Sequence, residues 1–146
     1  MIRSWLASDN PAVAKIERES FSDPWSQSML DQSFLSPAFK GFVEDDGGIK
    51  GYVGIICYGD AEIALIAVDP SFRKRGIGKK LLGHAVAFAK ENGAENVFLE
   101  VRKSNEPAKA LYSGFGFNAI AVRPKYYADG EDAIVMVLDV HAKEEK

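Results

Sequence analysis

The sequence predicts an α/β fold of the α+β kind, a mixed central sheet with helices packed on it. Three observations carry this. Strand-like segments joined by short links run from Phe39 to Val68. A long segment of helical period follows directly, with Ile77, Leu81, Ala85, Phe88 and Ala89 on one face. The remaining chain then reads strand, helix, strand, strand. With 146 residues the chain suits one domain, placed at residues 1–140, and residues 141–146 form a loose charged tail.

Each element has its own signal. Asp9 or Asn10 before Pro11 starts a first helix, in which Ala12, Val13 and Ile16 recur up to about Ser20. Ser26, after Pro24 and Trp25, caps a second helix carrying Met29, Leu30, Phe34 and Leu35, which ends before Pro37. Asp46-Gly47-Gly48 supplies the turn of a hairpin between Gly41–Glu44 and Ile49–Tyr58, and Gly59-Asp60 turns into Glu62–Val68. Short links make these three segments an antiparallel meander. The central helix opens near Ile77 and stops at Gly93. A strand at Asn96–Val101, a helix at about Glu106–Gly114, and strands at Phe117–Val122 and Ala133–Val140 complete the pattern.

Composition excludes several classes of function. A formal charge of -3 without a basic block argues against a nucleic-acid backbone as main partner, so small molecules or peptides are expected. Cys57 is the single cysteine, lies in an apolar run and reads as a buried hydrophobe, which favours a reducing compartment. No stretch approaches the ~20 apolar residues of a membrane span, so a cytoplasmic location is expected. His84 and His141 have no ligand partners at metal spacing, and no metal site is predicted. Ile55, Ile56 and the meander are offered as surfaces for self-association, with oligomeric state left open.

The chemistry concentrates after Val68. Arg73-Lys74-Arg75-Gly76-Ile77-Gly78-Lys79 is a basic, Gly-containing turn that opens the central helix. Unpaired backbone N–H groups and the positive end of the helix dipole attract phosphate, and glycine permits close approach. Cationic side chains add charge-assisted bonds suited to a pyrophosphate. A Walker A loop is excluded, because it needs Gly where Arg73 stands and Ser or Thr where Lys80 stands. A dinucleotide fingerprint fits poorly, since it needs Gly or Ala at Leu81 and belongs in the first turn of a βαβ unit.

R-x-x-G-x-G, after an A-V-D-P strand end and before an amphipathic helix, resembles the acyl-CoA signature of the GNAT acetyltransferases. Downstream, Leu99-Glu100-Val101-Arg102, Ser104-Asn105, Ala110-Leu111-Tyr112 and Gly116-Phe117 resemble the rest of that signature, over about residues 64 to 118. Pro24-Trp25-Ser26, Tyr126-Tyr127 and Glu131-Asp132-Ala133 extend it, along almost the whole chain, to ribosomal-protein alanine N-acetyltransferases of the RimI type. The resemblance implies the GNAT fold, with a mostly antiparallel sheet, and acetyl-CoA as cosubstrate. It implies, as acceptor, a protein N-terminus, here the alanine α-amine of a small-subunit ribosomal protein. It makes Glu100 the proton acceptor and Tyr112 the proton donor. Asn105 becomes a cofactor contact, Ile66, Ala67 and Val68 the backbone partners of the pantetheine arm, and Arg73 through Lys79 the pyrophosphate loop.

These roles make chemical sense. An α-amine with pKa ~8 costs about 1.4 kcal/mol to neutralise at pH 7, against about 4.6 for a lysine near ~10.4, so one carboxylate suffices for an N-terminus. A phenol with pKa ~10 stays protonated and can donate to the leaving thiolate. No covalent intermediate is required. Trp25, Tyr126 and Tyr127 are candidates for lining the acceptor groove, with ordinary aromatic packing as the alternative. Two other functions stay open. One is acetylation of a lysine or small amine, to which Glu44-Asp45-Asp46 would contribute were it not read as a turn. The other is a non-catalytic CoA-binding module.

Overall fold

A computed structural model describes residues 1–141, and of the predicted tail only His141 falls within them; residues 142–146 lie outside. Seven strands form one sheet in the order β1-β2-β3-β4-β5-β7-β6. They are β1 Ile2–Ser4, β2 Phe39–Asp45, β3 Ile49–Tyr58, β4 Asp60–Val68, β5 Asn96–Arg102, β6 Asn118–Arg123 and β7 Ala133–Asp139. Four helices accompany it: α1 Asn10–Ser20, α2 Gln27–Ser33, α3 Ile77–Glu91 and α4 Glu106–Phe115. Every strand pair is antiparallel except β4 with β5, as expected for the mixed sheet.

Local rules explain the elements that the sequence made legible. Gly47, Gly48 and Gly59 take positive φ and close the two tight turns of the β2-β3-β4 meander. Ser26 caps α2 by accepting the Met29 N–H at 3.2 Å, and Pro11 sits in the first turn of α1. Gly93, at φ 88, terminates the run after α3. The buried face of α3 is Leu81, Leu82, Ala85 and Ala89, packed with Val53, Ile55, Ile63, Val97 and Leu99 of the sheet. On the other side Trp5, Val13, Ala14, Ile16, Leu30 and Tyr52 form a second cluster under α1 and α2.

Several details differ from expectation. Strand β1 carries no strand signal of its own, being three residues long; it forms by adding to β2, Ile2 opposite Glu44. Ala12 is exposed and Ala14 buried instead, because the core face of α1 follows Val13 and Ile16. Helix α2 ends at Ser33, so Phe34 and Leu35 lie beyond it. Phe117 is a core residue rather than the first residue of β6. Ile55 is fully buried and unavailable as an association surface. Glu44-Asp45-Asp46 is not wholly the turn: Glu44 and Asp45 pair as the end of β2, only Asp46 enters the turn with Gly47 and Gly48, and Asp45 Oδ1 accepts the Gly48 N–H at 3.1 Å. Cys57 is partly buried, and burial pushes its thiol up, away from nucleophilic use. Among the described residues no helix is long and apolar enough to cross a membrane.

Candidate active site

The parallel pair β4-β5 is joined only at Ala61 with Val97 and Glu62 with Phe98, while β3 pairs with β4 all the way to Val68. Beyond Glu62 the two strands therefore part, and one edge of Ile63–Val68, which includes Ile66, Ala67 and Val68, faces the gap without a strand partner. Unpaired strand edges offer main-chain donors and acceptors to a ligand that runs alongside. A cleft of about 560 Å³ opens near the split, lined by Asp23, Trp25, Glu62, Glu100, Tyr126 and Tyr127 together with small apolar groups.

Glu100 lies on β5 with its side chain on the same face as Phe98 and Arg102, by the alternation of the strand. Its Oε1 accepts the Tyr126 hydroxyl at 3.2 Å, and Arg123 Nε stands 2.9 Å from Oε2. Oε2 is hidden from solvent, and its contact with Arg123 is an ion pair without hydrogen-bond geometry. A carboxylate oxygen with a lone pair not taken by a hydrogen bond can accept one from an incoming group. Glu62 enters the same cleft. Burial, then the charge of Glu100, pushes its carboxyl above the usual range, with Arg123 pulling it back.

Tyr112 sits on α4 and is 7 % exposed. Burial pushes its phenol up, with a smaller contribution from Tyr127, so it keeps its proton at neutral pH. Its ring packs on Phe117, 6.0 Å between centroids, because Gly116 at φ 118 ends α4 and returns the Phe117 N–H to the Tyr112 carbonyl at 3.0 Å. Tyr112 does not line the cleft that holds Glu100; Tyr127 bridges the two environments. Asn105 caps α4 by accepting the Ala108 N–H at 3.2 Å.

The basic turn follows β4. Asp69 caps a short 3-10 turn, Pro70–Phe72, and Gly76 at φ 80 leads into α3. Lys74 also takes positive φ. A Cβ on Gly78 would stand 3.5 Å from Leu111 and 3.7 Å from Val68, so the N-terminus of α3, the end of β4 and α4 converge here. Lys74, Arg75, Gly76 and Lys79 are exposed. Arg73 is turned back, donating to the Val68 carbonyl at 3.2 Å and to Ser20 Oγ at 3.3 Å, which braces the loop.

The three aromatic candidates, Trp25, Tyr126 and Tyr127, line one cleft. Tyr126 and Tyr127 meet edge to face at 5.1 Å, and burial, then the charge of Glu100, pushes the Tyr127 phenol up to about 12. Trp25 is held from behind, its N–H donating to Glu17 Oε1 at 2.9 Å. Sequence reading missed Glu17, Glu62, Asp23 and Arg102 as participants. Only Arg102 had a signal, a cation inside a strand next to Glu100. Glu17, buried on α1, also accepts the Tyr52 hydroxyl, and no spacing rule relates residues 35 apart.

A split sheet, a basic turn at the following helix and a carboxylate in the neighbouring cleft thus occur together. Residues 10–117 match the family model described as the acetyltransferase (GNAT) family. The chain belongs to this family. It is 33% identical over 143 residues to a [ribosomal protein bS18]-alanine N-acetyltransferase of Escherichia coli (strain K12), covering 95% of this chain and 97% of the relative. It is 36% identical over 140 residues to an N-alpha-acetyltransferase RimI of Mycobacterium tuberculosis, covering 90% and 87%. The crystal structure of the ribosomal-protein-S18-alanine N-acetyltransferase from Escherichia coli superposes with a TM-score of 0.87 over 96% of this chain and 93% of that one, at 33% identity. This acetyltransferase thus has the GNAT fold that its motifs implied.

Proposed function

We propose that residues 1–140 act as one catalytic domain that moves acetyl from acetyl-CoA to the N-terminal α-amine of a protein, the alanine of a small-subunit ribosomal protein. The observation that carries this reading is the Glu100 carboxylate in an aromatic-walled cleft beside the parting of β4 and β5, its Oε2 hidden from solvent and ion-paired with Arg123 but not hydrogen-bonded. Relatives named for alanine N-acetylation, at 33% and 36% identity, support the acceptor.

The pantetheine arm runs along the free edge at Ile66–Val68 and the pyrophosphate lies on the turn Arg73–Lys79, where the α3 N–H groups and Lys74, Arg75 and Lys79 meet it. Asn105 presents the start of α4. Glu100 takes the proton from the α-amine, directly or through water, as nitrogen attacks the thioester carbonyl. The C–S bond breaks on collapse of the adduct, and Tyr112 gives its proton to the thiolate. Tyr112, left as phenolate, and Glu100, left protonated, are reset by proton exchange with solvent after CoA leaves, and no covalent enzyme intermediate forms.

A second reading has its own observation. Asp23, Glu62 and Glu100 make the cleft acidic, which also suits a lysine or small cationic amine. Peptides that differ only at residue one, incubated with acetyl-CoA, separate the two. Acetyl located by mass spectrometry on an N-terminal alanine, with blocked peptides inert, is the expected result. Acetyl on lysine or only on small amines overturns the acceptor assignment.

A further inference from the structure

Arg102 stands one turn of the β5 alternation beyond Glu100 and does not itself line the cleft. Its guanidinium nevertheless reaches both loops that do. Nη2 lies 3.0 Å from Asp23, in the segment between α1 and α2 that carries Trp25. Nη1 donates to Asp129 at 2.8 and 3.0 Å and to Glu131 at 3.0 Å, in the segment between β6 and β7 that carries Tyr126 and Tyr127. The plane of the guanidinium sits 4.1 Å from the centroid of the Tyr127 ring. With its side chain 17% exposed, this cation is the shared partner of the two segments. Glu131 in addition accepts the Ser104 N–H at 2.8 Å, tying the second loop to the start of α4.

We infer that Arg102 is a clamp joining the two loops that wall the acceptor cleft, and that it sets acceptor binding without touching the acceptor. The physical case rests on geometry. A planar fork matches several carboxylates at once and stacks on an aromatic face, which a lysine cannot do. A single exposed ion pair is worth little, but a network around one half-buried cation costs several partners when it is lost. Fixed loops remove the ordering cost that a mobile cleft imposes on its ligand. Arg102 is a positioning residue, and the assignment to acceptor binding rests on the cleft being the acceptor site.

The test uses Arg102→Gln, which keeps the stem over Tyr127, and Asp23→Asn, which cuts only one loop. In the free enzyme, amide exchange at residues 21–26 and 124–132 accelerates about tenfold in Arg102→Gln, and at 21–26 alone in Asp23→Asn. With an alanine peptide, the acceptor KM rises about tenfold in Arg102→Gln while kcat and the acetyl-CoA KM stay within about twofold. Unchanged exchange in a folded Arg102→Gln overturns the clamp. Faster exchange with an unmoved acceptor KM refutes the cleft as acceptor site, and Tyr127→Ala then leaves that KM unmoved too. A uniform loss, with both KM values and kcat shifting together, shows a purely structural role and also overturns it.

Discussion

Replacing Glu100 by Gln preserves shape and the oxygen that accepts from Tyr126, and removes the charge and the Oε2 that is proposed to take the proton. A positioned base contributes about 10²–10⁴ in rate, or about 2.7–5.5 kcal/mol. Glu62 lines the same cleft and loses the repulsion of Glu100 in the variant, so it is able to receive the proton through water. The expected loss is therefore in the lower half, about 10²–10³ in kcat/KM at pH 7. About one-tenth of an α-amine with pKa ~8 is neutral at pH 7 and about nine-tenths at pH 9, so the loss shrinks by up to tenfold over that interval. Initial rates of CoA release with an alanine peptide, from pH 6.5 to 9, read this directly. Adding Glu62→Gln deepens the loss. A Glu100→Gln enzyme within threefold of wild type at pH 7, or a loss that does not shrink by pH 9, refutes the base assignment.

Tyr112→Phe lowers kcat about 10²-fold with stability nearly unchanged, because the ring keeps its packing on Phe117; kcat and a melting curve check both. Since burial raises the Tyr112 phenol, wild-type kcat shows no alkaline fall below about pH 10. Gly76→Ala meets open space but forces a φ of 80 on alanine, costing about 1–2 kcal/mol, and raises the acetyl-CoA KM severalfold with the acceptor KM unmoved. Tyr52→Phe removes a donor to the buried Glu17 carboxyl, whose value burial already holds above 4.5. A raised carboxyl value destabilises the fold as pH climbs past the unfolded value, and losing a donor raises it further. Urea unfolding is then weakened by about 1.5–3 kcal/mol at pH 8 and by less at pH 4; an equal or smaller loss at pH 8 contradicts this.

Much of the fold was legible because it rests on local chemistry. Glycines at positive φ, prolines in first turns and Ser26 as a cap each act within a few residues, so the meander, α3 and α4 could be placed from letters alone. The boundaries slipped where tertiary packing decides. Helix α2 stops early as Phe34 joins Trp5 and Phe39 in an aromatic cluster. Ala14 replaced Ala12 because orientation on the sheet selects the buried face.

The sequence by itself determined the order of elements from α1 onward, the basic turn before α3 and the pair Glu100 and Tyr112 at their spacing from it, since these are linear patterns backed by backbone and side-chain chemistry; β1 it did not show. Only the tertiary structure decided where β4 and β5 part, that Glu62 shares a cleft with Glu100, and that Arg102 gathers Asp23, Asp129, Glu131 and Tyr127. The reason is distance along the chain. The pairing of β4 with β5 joins segments separated by α3 along the chain, and a carboxylate 79 residues from its cation carries no mark of the partner until the fold brings them to 3.0 Å.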